Sequence, residues 1–219
     1  MNMLNLVNVT KSYKTNGVRK TILSEFNFSF PTKRNVAIMG RNGVGKSTLM
    51  RLLAGAEMPD SGHIYRGIEV SWPLGFSGGL NGSMTGLENI RFVARIYNKN
   101  INDVVDYVKD FSELGASLKL PIRTYSNGMR AKLAFGLSMA IDFDIYLIDE
   151  VTAAGDPTFR KRTESVFQTK LNDSRVIMIS HSEATIKSFC DCGLLMSDEG
   201  IFFFDKIEDL LKEYKSLGR

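Results

Sequence analysis

Nine residues near the start of the chain carry a pattern that suits an anion: GRNGVGKST, residues 40–48. The glycines have no Cβ, so the backbone can wrap closely around phosphate groups and adopt unusual φ angles. We expect the Lys46 ammonium on the β- and γ-phosphate oxygens and the Ser47 hydroxyl on Mg²⁺. A helix predicted over 47–54 points its N-terminal amides at the same anion. All nine residues are expected to contact the nucleotide: Gly40, Arg41, Asn42, Gly43, Val44, Gly45, Lys46, Ser47 and Thr48.

Two carboxylates follow an apolar run in the stretch IYLIDE, residues 145–150. Asp149, at the end of the predicted strand, is expected to hold Mg²⁺ through water, opposite Ser47. Glu150 is one residue further along and therefore points elsewhere. We expect it to polarise the water that attacks the γ-phosphate.

A third apolar run, VIMIS at 176–180, ends directly before His181. A histidine at the end of a strand is often only structural. Here it accompanies two phosphate-associated motifs, and we expect it to contact the γ-phosphate and the attacking water. Lys46, Glu150 and His181 are therefore the candidate catalytic residues.

A polar turn, TYSNGM at 124–129, stands directly before an apolar, alanine-rich segment predicted to be helical. Phosphate loops alone are compatible with kinases, GTPases and many ATPases, and this turn narrows the choice. Ser126 offers a hydroxyl and Gly128 a backbone amide at a second helix N-terminus. The phosphate loop already has a helix of its own, so we expect a second copy of the chain, related by a twofold axis, to use this turn.

Together these motifs resemble those of ATP-binding cassette (ABC) proteins, and the resemblance covers nearly the whole chain. YSNGM is similar to the LSGGQ signature of that family, and Asp149, Glu150 and His181 match its Walker B aspartate, catalytic glutamate and switch histidine. The resemblance implies an ATPase that uses ATP and Mg²⁺. Two ATP molecules would lie between two copies, each contacted by one phosphate loop and the other copy's signature.

The same resemblance assigns two further positions. Tyr13 matches the aromatic residue that stacks on adenine, and Asp156, in TAAGD, matches the loop that crosses the dimer interface. The signature departs from the consensus at three positions, Tyr125, Asn127 and Met129. Ser126 and Gly128 remain, and we expect the nucleotide to be contacted by Ser126, Asn127 and Gly128 in a functioning but slow ATPase.

The pattern of elements predicts an α/β fold. Strands that are almost purely apolar alternate with helices, which indicates a mostly parallel sheet covered on both faces. With the resemblance, this implies a P-loop ABC ATPase core, an N-terminal antiparallel β subdomain and a helical subdomain at about 80–140. We expect residues 1–219 to form a single nucleotide-binding domain. Thr85 and Glu88 have the spacing of a capping box at the start of a helix.

The stretch SWPLGFSGGL, residues 71–80, contains the single tryptophan of the chain and no charge. Most ABC cassettes carry a glutamine here, whereas this chain has none between Lys46 and Gln168. That role is empty, or passes to a neighbour such as Ser77, or to backbone and water. We expect residues 71–85 to contact a membrane-spanning permease.

The longer run SWPLGFSGGLNGSMTGLENIRFVARIY closely resembles the ATP-binding subunits that export capsular polysaccharide in Gram-negative bacteria. This implies a homodimer that forms on ATP binding, attached peripherally to the cytoplasmic face of the inner membrane, without direct contact to the polysaccharide. Close alternatives are exporters of O-antigen or teichoic acid. A soluble ABC ATPase acting on ribosomes or DNA is a more distant one.

Charge and hydropathy narrow the possible partners. The net charge is +4, and the basic residues are scattered rather than clustered, so nucleic acid is not an expected partner. The apolar runs are far shorter than the roughly 20 residues that a membrane-spanning helix needs. We therefore expect the protein to act at a membrane only through a separate permease.

Overall fold

A computed structural model of the chain describes residues 3–15, 17–74, 79–149, 157–171 and 173–217. Within these residues the strands are β1 (Leu4–Thr15), β2 (Val18–Ser29), β3 (Val36–Gly40), β4 (Ser61–Arg66), β5 (Val70–Pro73), β6 (Ile145–Asp149), β7 (Arg175–Ile179), β8 (Cys192–Ser197) and β9 (Gly200–Phe204). The α-helices are α1 (Lys46–Leu53), α2 (Gly86–Ile96), α3 (Ile101–Ser112), α4 (Asn127–Ala140), α5 (Pro157–Leu171), α6 (Glu183–Phe189) and α7 (Ile207–Leu217).

The chain divides into two compact units. The first is formed by the segments Met1–Pro73, Phe143–Glu150 and Ser174–Arg219, and the second by Leu74–Asp142 and Val151–Asp173. The first unit contains both sheets, and the second contains α2 to α5. The assignment of residues 80–140 as a helical subdomain stays a prediction.

The main sheet of the first unit has the strand order β5-β6-β7-β3-β8-β9 in the described residues. Neighbouring strands from β5 to β8 run parallel, and β9 pairs antiparallel with β8. The inner strands are apolar because both faces are covered: Ile38, Leu147 and Ile177 are at most 1% exposed. Since parallel strands end at the same edge, the last residues of β3, β6 and β7, which are Gly40, Asp149 and Ile179, lie at that edge.

A second, antiparallel sheet has the order β2-β1-β4. β1 and β2 form a long hairpin in which Tyr13 is paired with Lys20. The predicted mostly parallel sheet and the antiparallel β subdomain are both present, so the predicted fold class is confirmed.

The second unit is helical, and local signals explain where α2 begins. The backbone amide of Glu88 donates to Thr85 Oγ1 at 3.2 Å, and the amide of Thr85 donates to Glu88 Oε2 at 2.7 Å, so the predicted capping box is present. On α3, the apolar face is buried, with Val108 and Phe111 at most 2% exposed. This face packs against α4.

The stretch 71–80 begins within a strand. Val70–Pro73 is a strand at the edge of the main sheet, paired with β6. Ser71 is fully buried because its hydroxyl accepts a hydrogen bond from the amide of Leu147 at 2.9 Å. Proline is tolerated at the end of an edge strand, so Pro73 does not prevent this pairing. The next residues, 75–78, with Phe76 and Ser77, lie outside the described part of the chain.

No helix among the described residues is long and apolar enough to span a bilayer. This agrees with the short apolar runs in the sequence.

Candidate nucleotide-binding site

The first unit contains a cleft of about 460 Å³ where β6 and β7 end. Nine of the residues expected at the nucleotide or the metal line this cleft. The full lining consists of Tyr13, Lys20, Ile22, Asn42, Gly43, Gly45, Lys46, Ser47, Thr48, Asp149, Ile179 and His181. Four separate parts of the sequence therefore supply one site, and the shared edge of the main sheet accounts for three of them: 42–48, Asp149 and 179–181.

At two positions of the loop between β3 and α1, only glycine fits, and the same two reasons hold at both. Gly40 has φ 151°, and a Cβ there would lie 2.3 Å from the backbone oxygen of Met196. Gly45 has φ 116°, and a Cβ there would lie 2.2 Å from Cγ2 of Ile22. Both positions thus combine an unfavourable φ for other residues with a direct clash. The predicted unusual backbone of this loop is present.

Lys46 is held inside the loop. Its Nζ donates to the carbonyl oxygens of Gly40 at 2.7 Å and Arg41 at 3.0 Å, and the residue is only 9% exposed. A buried ammonium requires such acceptors. The oxygens of a polyphosphate in the cleft would be stronger acceptors because they are charged.

The first backbone amides of α1 are not capped by a side chain. The N-cap of this helix is Gly45, in the left-handed conformation, and it has no side chain with which to cap them. A helix end of this kind binds phosphate through its amides and its dipole. The residues of the loop therefore fit a nucleotide.

Ser47 and Asp149 line the same cleft as Lys46 and His181. A hydroxyl and a carboxylate are hard oxygen ligands of the kind that Mg²⁺ binds, usually with several retained waters. The donor set thus fits this ion. Glu150 and Asp156 lie outside the described residues, and their roles stay predictions.

Two side chains on β2 line the cleft but were not predicted as site residues from the sequence. Lys20 Nζ donates to the carbonyl oxygen of Gly43 at 2.7 Å, and Ile22 packs on Gly45. The sequence does contain a signal for them. The sequence Asn-Gly at 16–17 is typical of a two-residue hairpin loop, and a hairpin with that loop pairs Thr15 with Val18 and Tyr13 with Lys20.

The signature residues lie in the second unit, at the N-terminus of α4. Ser126 is the N-cap, and its Oγ accepts a hydrogen bond from the amide of Met129 at 3.2 Å. Ser126 and Asn127 are exposed, and Gly128 is half-buried. The predicted turn before an apolar helix is therefore present, with its polar side open to solvent.

Comparisons with known proteins place this geometry in context. The ABC transporter family profile matches residues 23–153. The polysialic acid transport ATP-binding protein KpsT of Escherichia coli is 46% identical over 97% of this chain and 99% of its own length. The capsule polysaccharide export ATP-binding protein CtrD of Neisseria meningitidis serogroup B is 41% identical over 98% of this chain and 100% of its own length.

A teichoic acids export ATP-binding protein, TagH of Bacillus anthracis, is more distant. It is 35% identical over 88% of this chain, which corresponds to 36% of that protein. Among solved structures, a dimeric, post-hydrolysis ATP-binding cassette with ADP and Pi superposes with a TM-score of 0.73. That structure is 21% identical, and the match covers 94% of this chain and 99% of the other. At this identity the likeness shows the fold alone.

Proposed function

Because the chain belongs to the ABC transporter family, we propose that it is the ATP-hydrolysing subunit of a transporter that exports capsular polysaccharide across the inner membrane. The observation that carries this proposal is the match, at 41–46% identity and nearly full length on both sides, to proteins named for polysialic acid transport and capsule polysaccharide export. A separate permease would span the membrane. The subunit would bind that permease from the cytoplasmic face, through residues 71–85, without touching the sugar.

The cleft supports the ATPase part of the proposal. Lys46 and the amides at the start of α1 would neutralise the triphosphate, and Tyr13 would stack on the adenine. Ser47 and Asp149 would hold Mg²⁺, which supplies positive charge to the β- and γ-phosphate oxygens. We assign to Glu150 the orientation of the attacking water and to His181 a contact with the γ-phosphate.

A second copy of the chain would complete each site. Ser126 and Gly128 of one copy would contact the γ-phosphate held by the loop of the other, together with the exposed Asn127. Asp156 would lie at the interface between the copies. Because the γ-phosphate bridges the two copies, its hydrolysis would release them. Closing and opening would then move residues 71–85 and the permease.

Export in cells tests the proposal directly. We expect deletion of the gene to abolish surface polysaccharide and to leave polysaccharide inside the cell. Lys46→Ala should not restore export, since loss of one preorganised charge-stabilising group costs about 10²–10³ in rate. Lys33→Ala is the matched control, because it removes an exposed lysine, and this variant should restore export. Normal surface polysaccharide in the deletion strain would overturn the proposal.

Dimerisation tests the shared site. Glu150→Gln should bind ATP without hydrolysing it and should migrate as a dimer on size exclusion at saturating ATP. A monomer under those conditions would contradict the shared site. Loss of the O-antigen or of teichoic acid in the deletion strain would reassign the substrate. Co-sedimentation with ribosomes, or phosphate transfer to a small acceptor, would instead place the protein in another class.

A further inference from the structure

The hydroxyl of Tyr13 is held by two side chains that no nucleotide-binding motif includes. It donates to Glu57 Oε1 at 2.6 Å and accepts from Arg51 Nη2 at 3.2 Å. Arg51 is in the last turn of α1, and Glu57 is in the segment that follows it. The hairpin that carries Tyr13 is thereby fastened to the helix that carries the phosphate loop.

The two supporting side chains also hold each other. Arg51 Nε donates to Glu57 Oε2 at 3.0 Å, and Lys11 Nζ lies 3.0 Å from Glu57 Oε1. Burial alone would raise the pKa of Glu57, but hydrogen bonds from Tyr13, Lys11 and Arg51 bring that pKa below its ordinary value. Glu57 is therefore a carboxylate at neutral pH, with both oxygens occupied by donors.

The ring of Tyr13 is consequently fixed at both ends. Strand β1 holds its Cα, the network holds its hydroxyl, and Lys11 Nζ lies 5.4 Å from the ring centroid. The ring lines the same cleft as the phosphate loop. Arg51 Nη2 also donates to Thr48 Oγ1 at 3.2 Å, next to Ser47 in that loop. The network therefore sets the ring relative to the phosphate-binding residues.

We propose that Glu57 and Arg51 are positioning residues for base recognition, which hold the ring of Tyr13 in the orientation that stacks on a purine. The proposal rests on the nucleotide-binding function proposed above. A ring that is already ordered loses less conformational freedom when the ligand binds, so the network would favour affinity for the base. It would have no direct effect on the phosphate contacts or on the chemical step.

The test compares a ligand that has a base with one that does not. We would titrate the full-length chain with Mg·ATP and with Mg·tripolyphosphate, for the wild type and for Glu57→Gln. Glu57→Gln keeps the size of the side chain and removes its charge. We expect the Kd for ATP to rise about fivefold, as expected when one side chain must be ordered on binding, while the Kd for tripolyphosphate stays unchanged. In hydrolysis assays KM should rise and kcat should stay within about twofold.

Glu25→Gln is the matched control, because it removes an exposed carboxylate from the antiparallel sheet that carries Tyr13. It should change neither affinity. If Glu57→Gln does not fold, Tyr13→Phe gives the same comparison, since it keeps the ring and removes only the hydroxyl.

Two results would overturn the inference. Equal losses of affinity for ATP and tripolyphosphate would show that Glu57 only supports the fold, and an unchanged Kd for ATP would show that the ring needs no such support. If the wild type binds neither ligand, the proposed nucleotide-binding function itself fails, which is a different result from either of these.

Discussion

Tyr125 and Gly86 fit together in the helical unit so closely that residue 86 has no room for a side chain. A Cβ built on Gly86 would lie 2.5 Å from the hydroxyl oxygen of Tyr125. Tyr125 is 2% exposed, and its hydroxyl donates to the carbonyl oxygen of Ser117 at 2.6 Å. Burial raises the pKa of this phenol, which therefore stays neutral. The departure from the family's signature at residue 125 thus has a packing role beneath α2, which begins at Gly86.

We predict that Gly86→Ala destabilises the protein by about 1–3 kcal/mol, the usual cost of overpacking a filled site. Tyr125→Phe alone should cost about 1 kcal/mol because a buried hydrogen bond is lost. In the double variant, the total loss of unfolding free energy should be smaller than the sum of the two single losses. The reason is that the hydroxyl removed from Tyr125 is the atom nearest to the new methyl group at residue 86. Urea unfolding measures all three variants. Simple additivity would contradict the proposed contact.

Lys20→Met should weaken binding of phosphate-bearing ligands. Lys20 reaches the carbonyl of Gly43 inside the cleft, where its ammonium can instead contact a phosphate oxygen. We expect the Kd for ATP and for tripolyphosphate to rise about fivefold, as for a charge-assisted hydrogen bond that is partly screened by solvent. Titrations at low and high salt should show the larger difference at low salt.

Lys14→Met is the control for this prediction. Lys14 is exposed, follows Tyr13 on β1 and therefore points to the opposite face of the hairpin. Removing its charge should leave both Kd values unchanged. Equal effects of the two substitutions would mean that only the net charge matters.

Much of the site could be predicted because its signals are local. The apolar strand β3, the glycines after it and the helix that starts at Lys46 follow one another within a single short stretch. Asp149 and His181 could be assigned to the same site because each follows an apolar run, and the two runs are typical of neighbouring parallel strands. Such strands end at one edge of a sheet, so sequence alone brings their ends together.

Other contacts in the first unit could not be predicted because they join residues that no local pattern connects. The buried hydroxyl of Ser71 is paired with the amide of Leu147, which lies in a distant segment of the sequence. Because the sequence does not show this partner, a polar residue followed by Trp and Pro did not indicate the strand β5. Glu57 follows α1 without any pattern that relates it to Tyr13. Its contacts with Tyr13 and Lys11 form only once β1 has been placed beside this helix.

The two cysteines should resist alkylation in the folded protein. Burial raises the pKa of Cys190 to about 12 and that of Cys192 to about 11. The reactive thiolate is therefore almost absent at pH 8, and both residues are at most 5% exposed. Mass spectrometry after treatment with iodoacetamide should show no adduct without denaturant and two adducts in urea. Rapid labelling of the native protein would contradict the burial of both thiols.

The network around Glu57 should make stability depend on pH in a defined range. The pKa of Glu57 lies below its ordinary value of 4.5, because hydrogen bonds from Tyr13, Lys11 and Arg51 outweigh the effect of burial. The ionised form is thus favoured by folding. Its contribution is complete above about pH 4.5 and is lost as the pH falls through the lower pKa of the folded state.

We expect Glu57→Gln to be less stable than the wild type by about 1 kcal/mol at pH 7, as for a partly exposed ion pair. The difference should shrink steadily below pH 4.5. Asp60 also lies near Lys11, and hydrogen bonds from Ser12 lower its pKa, so it too contributes to the loss of stability in acid. The free energy of unfolding is measured with urea for both proteins at each pH. Taking the difference between the two values removes the contribution of Asp60, which both proteins share. A difference that stays constant down to pH 3 would show that the charge of Glu57 does not stabilise the fold.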